Sequence, residues 1–266
     1  MKKFILILAF ITSNTFANDV ALTWEKSWVF APWRTTRMAV QEIKTDKVWP
    51  VVIYLHGCSG IAPGHGMRWG EHLSKMGFIA ILPDSYARPN RQSNCNTQRQ
   101  VGFNPRVHDW RQEEITYAIE QLMKLSWVDK ENIFLFGHSE GGVAVSQSRH
   151  KEPKGNIISG WTCTGFRPGV HSPKNIPVLA VAWNEDPWFY RTSMQGRCID
   201  SAWGRNISQV DLDGPFHDTV ISDKARDAVY QFLKKYTTGH KIVSSEPIIV
   251  VGSNLNEEVE ELVEFK

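Results

Sequence analysis

The sequence has little net charge, no long apolar run and few cysteines. Its 266 residues carry 30 Lys and Arg against 28 Asp and Glu, a balance that argues against a nucleic-acid-binding surface. The longest apolar run has eight residues, whereas a transmembrane helix needs about 20, so we expect no stable membrane insertion. The composition is nevertheless 42% hydrophobic with 11 Trp and 13 Phe, which excludes disorder as the main state and predicts a sizeable core.

The first 17 residues predict export. Two lysines precede the apolar run Phe4 to Ile11, and small residues that a signal peptidase accepts follow at Thr12 to Ala17. A buried strand or an uncleaved anchor is the alternative. Cleavage would place the protein in the periplasm or outside the cell, with a main domain over residues 18–240. Residues 241–266 are a C-terminal extension with an apolar run and then five glutamates, either an added strand and helix or a frayed end.

Four cysteines follow the predicted signal peptide: Cys58, Cys95, Cys163 and Cys198. An even number of cysteines in an exported chain indicates disulfides, and three pairings are open. We favour Cys58–Cys95 and Cys163–Cys198, which join nearest neighbours in the sequence. No spacing is typical of a zinc site, since His65 and His72 are too loosely arranged, so we expect neither metal nor cofactor.

Apolar runs alternate with helical periodicity along the main domain. Strands are expected at residues 51–55, 78–82, 133–136, 157–158, 178–181 and 207–212. Helices are expected at residues 67–75, 107–125 and 223–236, with another from residue 140. The spacing of apolar residues in the second helix assigns Arg111, Gln112 and Glu114 to its other face. Alternating strands and helices predict an α/β fold, with a mostly parallel central sheet and helices on both faces.

A serine follows one of these strands in the sequence Gly137-His138-Ser139-Glu140-Gly141, and Gly142 comes next. This G-x-S-x-G pattern, between a short apolar strand and a helix, is typical of a nucleophile elbow that lifts the serine hydroxyl above the sheet. Such a sharp turn needs neighbours without side chains. We therefore predict that Ser139 is a nucleophile. The alternative is a serine that caps the helix between packing glycines.

A nucleophilic serine needs a base, because its hydroxyl is inert near neutral pH. The base is expected on a late loop, and His217 lies on one between the strand at residues 207–212 and the last helix. Three histidines are less well placed: His150, expected within the helix after the elbow, His171 and His240. We predict that His217 is the base.

The acid that orients this base should follow the strand at residues 178–181. Asp186 is the preferred candidate there, and its neighbour Glu185 is the rival. Asp211 and Asp213 lie nearer to the base in the sequence, but Asp211 belongs to a predicted strand. The chain order serine, aspartate, histidine is the one expected of an α/β-hydrolase.

Two backbone N–H groups are candidates for binding the oxyanion that would develop on a substrate. The N–H of Glu140 comes directly after the serine, and the N–H of Cys58 lies in the loop after the strand at residues 51–55. These two amides are our predicted oxyanion hole.

The substrate pocket is expected beside a long polar loop at residues 85–106. This loop contains no acid and four arginines: Arg88, Arg91, Arg99 and Arg106. The arginines either select an anionic acyl group or form a solvated basic loop. Four aromatic residues are expected to line the rest of the pocket: Trp183, Trp188, Phe189 and Tyr190.

Several motifs recur in order between Val51 and Tyr236. They are LHGCSG at residues 55–60, LPDSYARP at 82–89, GHSEGG at 137–142, NEDPW at 184–188, and His217. In these motifs the chain resembles the dienelactone hydrolase-like branch of the α/β-hydrolase family. The resemblance implies that fold and a hydrolytic triad. The chain departs from the family pattern in one respect, because the dienelactone hydrolases that name the family use a cysteine nucleophile where this chain has Ser139. The departure favours a serine esterase.

The residues and the resemblance together predict an exported serine hydrolase that cleaves small-molecule esters through an acyl-enzyme, as a carboxylesterase does. A peptidase or a polysaccharide deacetylase of the same fold would share this chemistry. A non-catalytic exported binding protein, or an interaction module that uses the acidic tail, is an alternative of another class. The intact triad argues against the binding protein, and the sequence indicates no oligomeric state.

Overall fold

The computed structural model describes residues 19–61, 65–93, 95, 104–165, 167–189, 192–202 and 204–243. The predicted signal peptide, the apolar run and glutamates of the C-terminal extension, Arg99 and Tyr190 lie outside these residues. The helices of the described ranges are α1 (Asp19–Glu25), α2 (Gly66–Lys75), α3 (Pro105–Leu122), α4 (Glu140–Gln147) and α5 (Asp223–Tyr236). The strands are β1 (Trp28–Phe30), β2 (Trp49–Leu55), β3 (Ile79–Leu82), β4 (Val128–His138), β5 (Gly155–Ser159), β6 (Val178–Trp183) and β7 (Ile207–Leu212).

The strands form one seven-stranded sheet in the order β1-β3-β2-β4-β5-β6-β7. All neighbours from β3 to β7 are parallel, and β1 pairs antiparallel with β3 at the edge. This arrangement confirms the predicted α/β fold. The chain proceeds from β2 outwards to β3, returns to β4 beside β2, and then continues outwards to β7. The strand order thus reverses between β2 and β4, and a crevice is expected there at the carboxyl ends of the strands.

The core lies on both faces of the sheet. Along β2, Val51, Ile53 and Leu55 belong to one apolar cluster, and Val52 and Tyr54 belong to the cluster on the opposite face. All five are fully buried. Successive strand side chains point to opposite faces, so a continuous apolar run is what a strand covered by helices on both sides requires.

Three details differ from the sequence predictions. The short elements α1 and β1 were not predicted from the sequence. His150 lies beyond the end of α4 at Gln147, not within that helix. The prediction for α3 was wrong about its polar side, because Arg111 and Glu114 are buried and pair with each other. None of the helices in the described ranges has the length and apolar character needed to cross a bilayer.

Candidate active site

The predicted nucleophile lies at a strained turn between β4 and α4. Ser139 has φ 55° and ψ −117°, a left-handed backbone conformation that is unusual for any residue except glycine. A Cβ atom on Gly137 would lie 2.1 Å from the carbonyl oxygen of Gly141, and one on Gly141 would lie 2.0 Å from that of Leu55. Only glycine fits at both positions. The sequence pattern therefore has a steric cause, and strain of this kind is concentrated at functional sites.

Backbone hydrogen bonds hold this turn on both sides. The Ser139 N–H donates to the carbonyl of Ser159 on β5 (2.8 Å), and the Ser139 carbonyl accepts from Val143 of α4 (3.0 Å). The side chain of Ser139 is half-buried. Within the described ranges its hydroxyl makes no hydrogen bond, including none to His217. The backbone at Ser139 is thus held against both β5 and α4.

His217 and Asp186 form a close pair. The Nδ1 atom of His217 lies 2.6 Å from Oδ2 of Asp186, whose side chain is fully buried. The other carboxylate oxygen accepts from the backbone N–H of Trp188 (2.9 Å), which fixes the carboxylate plane. The rival Glu185 is exposed. The contact with Nδ1 leaves Nε2 of His217 available for a proton from another group.

The imidazole of His217 lies beside the elbow. Its ring centroid is 4.9 Å from that of His138, the residue before Ser139. A Cβ atom on Gly160 would lie 3.4 Å from Cε1 of His217 and 2.8 Å from Cε1 of His138. The three histidines considered less suitable have partners elsewhere: His150 contacts Thr116, His171 contacts Pro168 and His240 contacts Asp129. Of the histidines considered as the base, His217 is thus the one that the structure brings to the serine loop.

Aromatic rings flank His217. The rings of Trp188 and Phe189 lie 5.6 Å and 6.0 Å from it, and Trp161 packs edge-on against Phe189 at 5.7 Å. Trp183 is not part of this group, since its ring packs against Phe216. We refer to Trp161, Trp188 and Phe189 as the aromatic wall. Two of its members were expected at the pocket, and Trp161 was missed because it follows a different strand.

Two arginines of the polar loop, Arg88 and Arg91, are buried and paired, whereas Arg106 is exposed. The guanidinium of Arg88 contacts Glu113 at 2.8 Å and Glu114 at 3.3 Å, and that of Arg91 pairs with Glu140. Both arginine side chains are at most 3% exposed. The idea that these two arginines meet a substrate carboxylate, or form a solvated basic loop, was therefore wrong. The acids that neutralise them come from α3 and α4, which are remote in sequence.

The same ion pairs extend to the loop after β2. Arg111 contacts Glu114 at 2.8 Å and Glu140 at 3.4 Å, and it donates a hydrogen bond to the carbonyl of His56. The ring of His56 donates from Nδ1 to the carbonyl of Gly57 and accepts at Nε2 from the Ser85 N–H. Burial, and secondarily the charge of Arg111, holds the pKa of His56 well below its ordinary value. A neutral His56 is what these two hydrogen bonds require.

Cys58 lies at the end of this network. The hydroxyl of Tyr86 donates to the Cys58 carbonyl, and so does that of Ser93 (3.2 Å). A disulfide joins Cys58 to Cys95, and a second one joins Cys163 to Cys198, the pairing that the sequence order favours. The loop passes next to the elbow, since a Cβ atom on Gly57 would lie 3.3 Å from Cβ of Ser139. Donation to an oxyanion by the amides of Cys58 and Glu140 stays a prediction.

The site also contains a group of metal-ligand type that the sequence analysis did not find. One ring nitrogen each of His65 and His138 and a carboxylate oxygen of Asp218 all lie within 4.8 Å of one another. His72, considered with His65 from the sequence, packs instead near Trp69. One sequence feature could have indicated this group: His138 directly precedes the serine, and Asp218 directly follows the predicted base.

Comparison with solved structures shows the same fold. A protein described as a dienelactone hydrolase from Klebsiella pneumoniae matches with a TM-score of 0.53 at 14% identity, over 79% of this chain and 97% of its own. Est1E from Butyrivibrio proteoclasticus, solved with ferulic acid, matches with a TM-score of 0.51 at 17% identity, over 79% and 92% of the two chains. Esterase 2 from Thermogutta terrifontis matches with a TM-score of 0.51 at 12% identity, over 82% and 91%. A comparison with curated proteins gives no match.

A family comparison identifies the relationship more closely. The model of the dienelactone hydrolase family matches residues 38–195, which include the elbow serine and Asp186 and end before His217. This match covers more than half of the sequence and agrees with the fold and with the order of the motifs. The chain therefore belongs to the dienelactone hydrolase family of α/β-hydrolases.

Proposed function

We propose that this chain is an exported serine hydrolase that cleaves ester substrates through an acyl-enzyme on Ser139. The observation that supports it most is the pair formed by His217 and the buried Asp186, which lies beside a strained serine turn. A serine beside a histidine that is paired with an aspartate is the arrangement that acyl transfer through a serine requires. Membership of a family of hydrolases agrees with this assignment.

Each step has an assigned residue. Nε2 of His217 takes the proton of the Ser139 hydroxyl as Oγ attacks the ester carbonyl, and the same proton then goes to the leaving alcohol. Asp186 holds the imidazole by its Nδ1–H and stabilises the imidazolium that forms. A water molecule, deprotonated by His217, releases the acid and restores the serine. The Ser139 hydroxyl and His217 must approach each other for the first step, because catalytic hydrogen bonds often form only with substrate bound.

The oxyanion would be bound by backbone amides of two loops. The N–H of Glu140 is the first of α4 and lies outside the helix's own hydrogen-bond ladder. The N–H of Cys58 belongs to the loop that passes beside Ser139. Donors of this kind are effective because they are oriented before the charge develops.

The surroundings favour an uncharged, partly aromatic acyl or alcohol group. Arg88 and Arg91 are neutralised by glutamates, and the aromatic wall flanks the base. Export is supported by the two disulfides, because such bonds persist mainly in oxidising compartments.

Reaction with a fluorophosphonate probe and turnover of p-nitrophenyl acetate test this proposal. Ser139→Ala should abolish labelling and lower kcat by between about 10⁴- and 10⁶-fold, since the nucleophile is lost. Ser208→Ala, at an exposed serine of β7, is the matched control and should behave as the parent. Unchanged labelling and turnover in Ser139→Ala would refute the mechanism. If Ser139→Ala is inactive, turnover of a panel of esters, anilides and acetylated sugars by the parent would separate an esterase from a peptidase or a deacetylase.

A further inference from the structure

We propose that His65, His138 and Asp218 form a binding site for a divalent transition metal of the zinc type. The three residues come from distant parts of the chain: the position just before α2, the end of β4 and the loop before α5. Their candidate ligand atoms lie within 4.8 Å of one another. The proposal concerns metal binding alone and does not depend on hydrolysis by Ser139.

The distances suit a small coordination sphere. Nδ1 of His65 already lies 3.2 Å from Oδ2 of Asp218. Two ligand atoms of a tetrahedral zinc ion, each about 2.0–2.1 Å from the metal, are about 3.3 Å apart. The remaining separations, at most 4.8 Å, must shorten by about 1.5 Å or less. The His65 side chain is 38% exposed, so it can rotate towards His138, and the metal can enter on its side.

His138 has a nitrogen with no other function in the described part of the chain. Its Nδ1 atom lies 3.0 Å from the hydroxyl of Ser159, which in turn contacts Thr219 at 2.6 Å. Its Nε2 atom is buried and has no hydrogen-bond partner there. When the Nδ1–H of His138 donates to Ser159, Nε2 carries the lone pair that can bind a metal ion. An unsatisfied buried nitrogen is costly, and a metal ion would satisfy it.

The neighbouring contacts resemble those that orient metal ligands. A ligating histidine usually donates its second nitrogen to another polar group, and the contact of His138 with Ser159 supplies this. In Asp218, Oδ1 accepts from the Val220 N–H (3.2 Å), which leaves Oδ2 to face His65. The Asp218 side chain is only 15% exposed, and a cation bound at Oδ2 would offset the cost of its largely buried charge.

The donor set indicates the class of metal. Two imidazoles and one carboxylate suit Zn²⁺ or its analogue Co²⁺, whereas Ca²⁺ and Mg²⁺ prefer oxygen ligands only. Three protein ligands leave a fourth position for water, as in open zinc sites.

The test uses the purified protein without a polyhistidine tag, dialysed against EDTA. Zinc binding is followed by calorimetry, and Co²⁺ binding by its visible absorption, which is intense for four- or five-coordinate cobalt. We expect one metal ion per chain. His65→Ala and Asp218→Asn should each weaken Zn²⁺ binding by about 100-fold or more, because each removes a ligand. Circular dichroism verifies that each variant is folded.

Two controls separate this site from other binding. His171→Ala, on a half-buried histidine outside the group, should leave the zinc affinity unchanged. Ser139→Ala should also bind zinc normally, so a failure of the proposed hydrolysis leaves this result readable. Absence of saturable zinc uptake would overturn the proposal. So would uptake of equal affinity in the parent, His65→Ala and Asp218→Asn, which would mean adventitious surface binding.

Discussion

The two halves of the candidate site are stabilised by different interactions. The half that contains Cys58 and the start of α4 rests on a buried network of guanidinium and carboxylate groups, in which Arg91 and Arg111 meet Glu140. In the half that contains His217, this base pairs with the carboxylate of Asp186 and is flanked by aromatic rings.

This difference corresponds to what each half would do. Backbone amides that bind an oxyanion must be held in place, and several buried charge-assisted hydrogen bonds are rigid. A base must accept and release a proton, so its ring needs one fixed orientation and freedom to become charged. A single buried carboxylate supplies both, and apolar rings pack around it without competing for the proton. We therefore expect damage to the first half to affect turnover through geometry, and damage to the second to affect proton transfer and substrate fit.

Among the variants that compare the two halves, the largest effect is expected at the carboxylate of Asp186. Asp186→Asn retains the shape of the side chain but presents an amide to Nδ1 of His217, which favours the wrong imidazole tautomer. We expect kcat for p-nitrophenyl acetate to fall by about 10⁴-fold, with little change in KM. Stopped-flow or steady-state kinetics on the purified variant measures this loss.

Glu185→Gln is the matched control, because it makes the same chemical change one residue earlier on an exposed side chain. It should retain the parent's kcat. If the Glu185 variant lost turnover and the Asp186 variant did not, the two carboxylates would exchange roles, and the comparison between the halves would need another acid.

The two disulfides offer a balanced comparison of the halves. Cys58–Cys95 and Cys163–Cys198 close segments of similar length, with separations of 37 and 35 residues, so loss of either should cost about 4 kcal/mol of stability. Cys58 belongs to the predicted oxyanion loop. A sulfur of the other bridge, on Cys198, lies 3.5 Å from the carbonyl of Trp161 in the aromatic wall.

Paired serine variants separate these roles. Cys58→Ser with Cys95→Ser should lower kcat by roughly 10–100-fold, because an amide donor is less well fixed. Cys163→Ser with Cys198→Ser should instead raise KM for aryl esters and leave kcat close to the parent's. Both are assayed at a temperature at which urea titration shows them folded. Equal changes of kcat in the two variants would mean that the bridges act on stability alone.

Much of the sheet and the order of the site could be predicted from the sequence, because local patterns carry that information. The glycines around Ser139 have a steric cause within a few residues, and apolar runs such as that of β2 identify strands buried on both faces. Asp186 was the preferred acid after the strand at residues 178–181, with its neighbour Glu185 as the rival, and the structure puts Asp186 against His217.

The charged network could not be predicted in the same way. Helical periodicity treats Arg111 and Glu114 as surface residues, since isolated charges are rarely buried. Their burial becomes possible only when α3 packs against the loop after β2 and against Glu140 of α4, contacts between segments distant in sequence. The strand β1 was missed for a related reason: three residues are too few for a periodic signal, and pairing with β3 creates the strand.

Tyr86→Phe is the variant with the smallest expected effect, and it tests the half of the site that contains Cys58. Its hydroxyl donates to the Cys58 carbonyl, and Arg91 lies 3.4 Å from the same hydroxyl. Tyr86→Phe removes this link and keeps the ring, which stacks on His56. Loss of one hydrogen bond of about 1 kcal/mol should lower kcat by about fivefold. KM should stay unchanged, because the link orients an amide that acts on the transition state.

The separation of kcat from KM decides whether Tyr86 positions the amide or merely stabilises the loop. Active sites are first counted with the fluorophosphonate probe, so that partial unfolding does not imitate a lower kcat. The pH dependence of kcat should remain that of the parent, since the pair of His217 with Asp186 is untouched. Tyr230→Phe on α5 serves as the control and should change neither constant. A Tyr86 variant with normal kcat per active site and a lower melting temperature would show that the network only supports the fold. The two halves would then differ in the interactions that stabilise them but not in their roles in turnover.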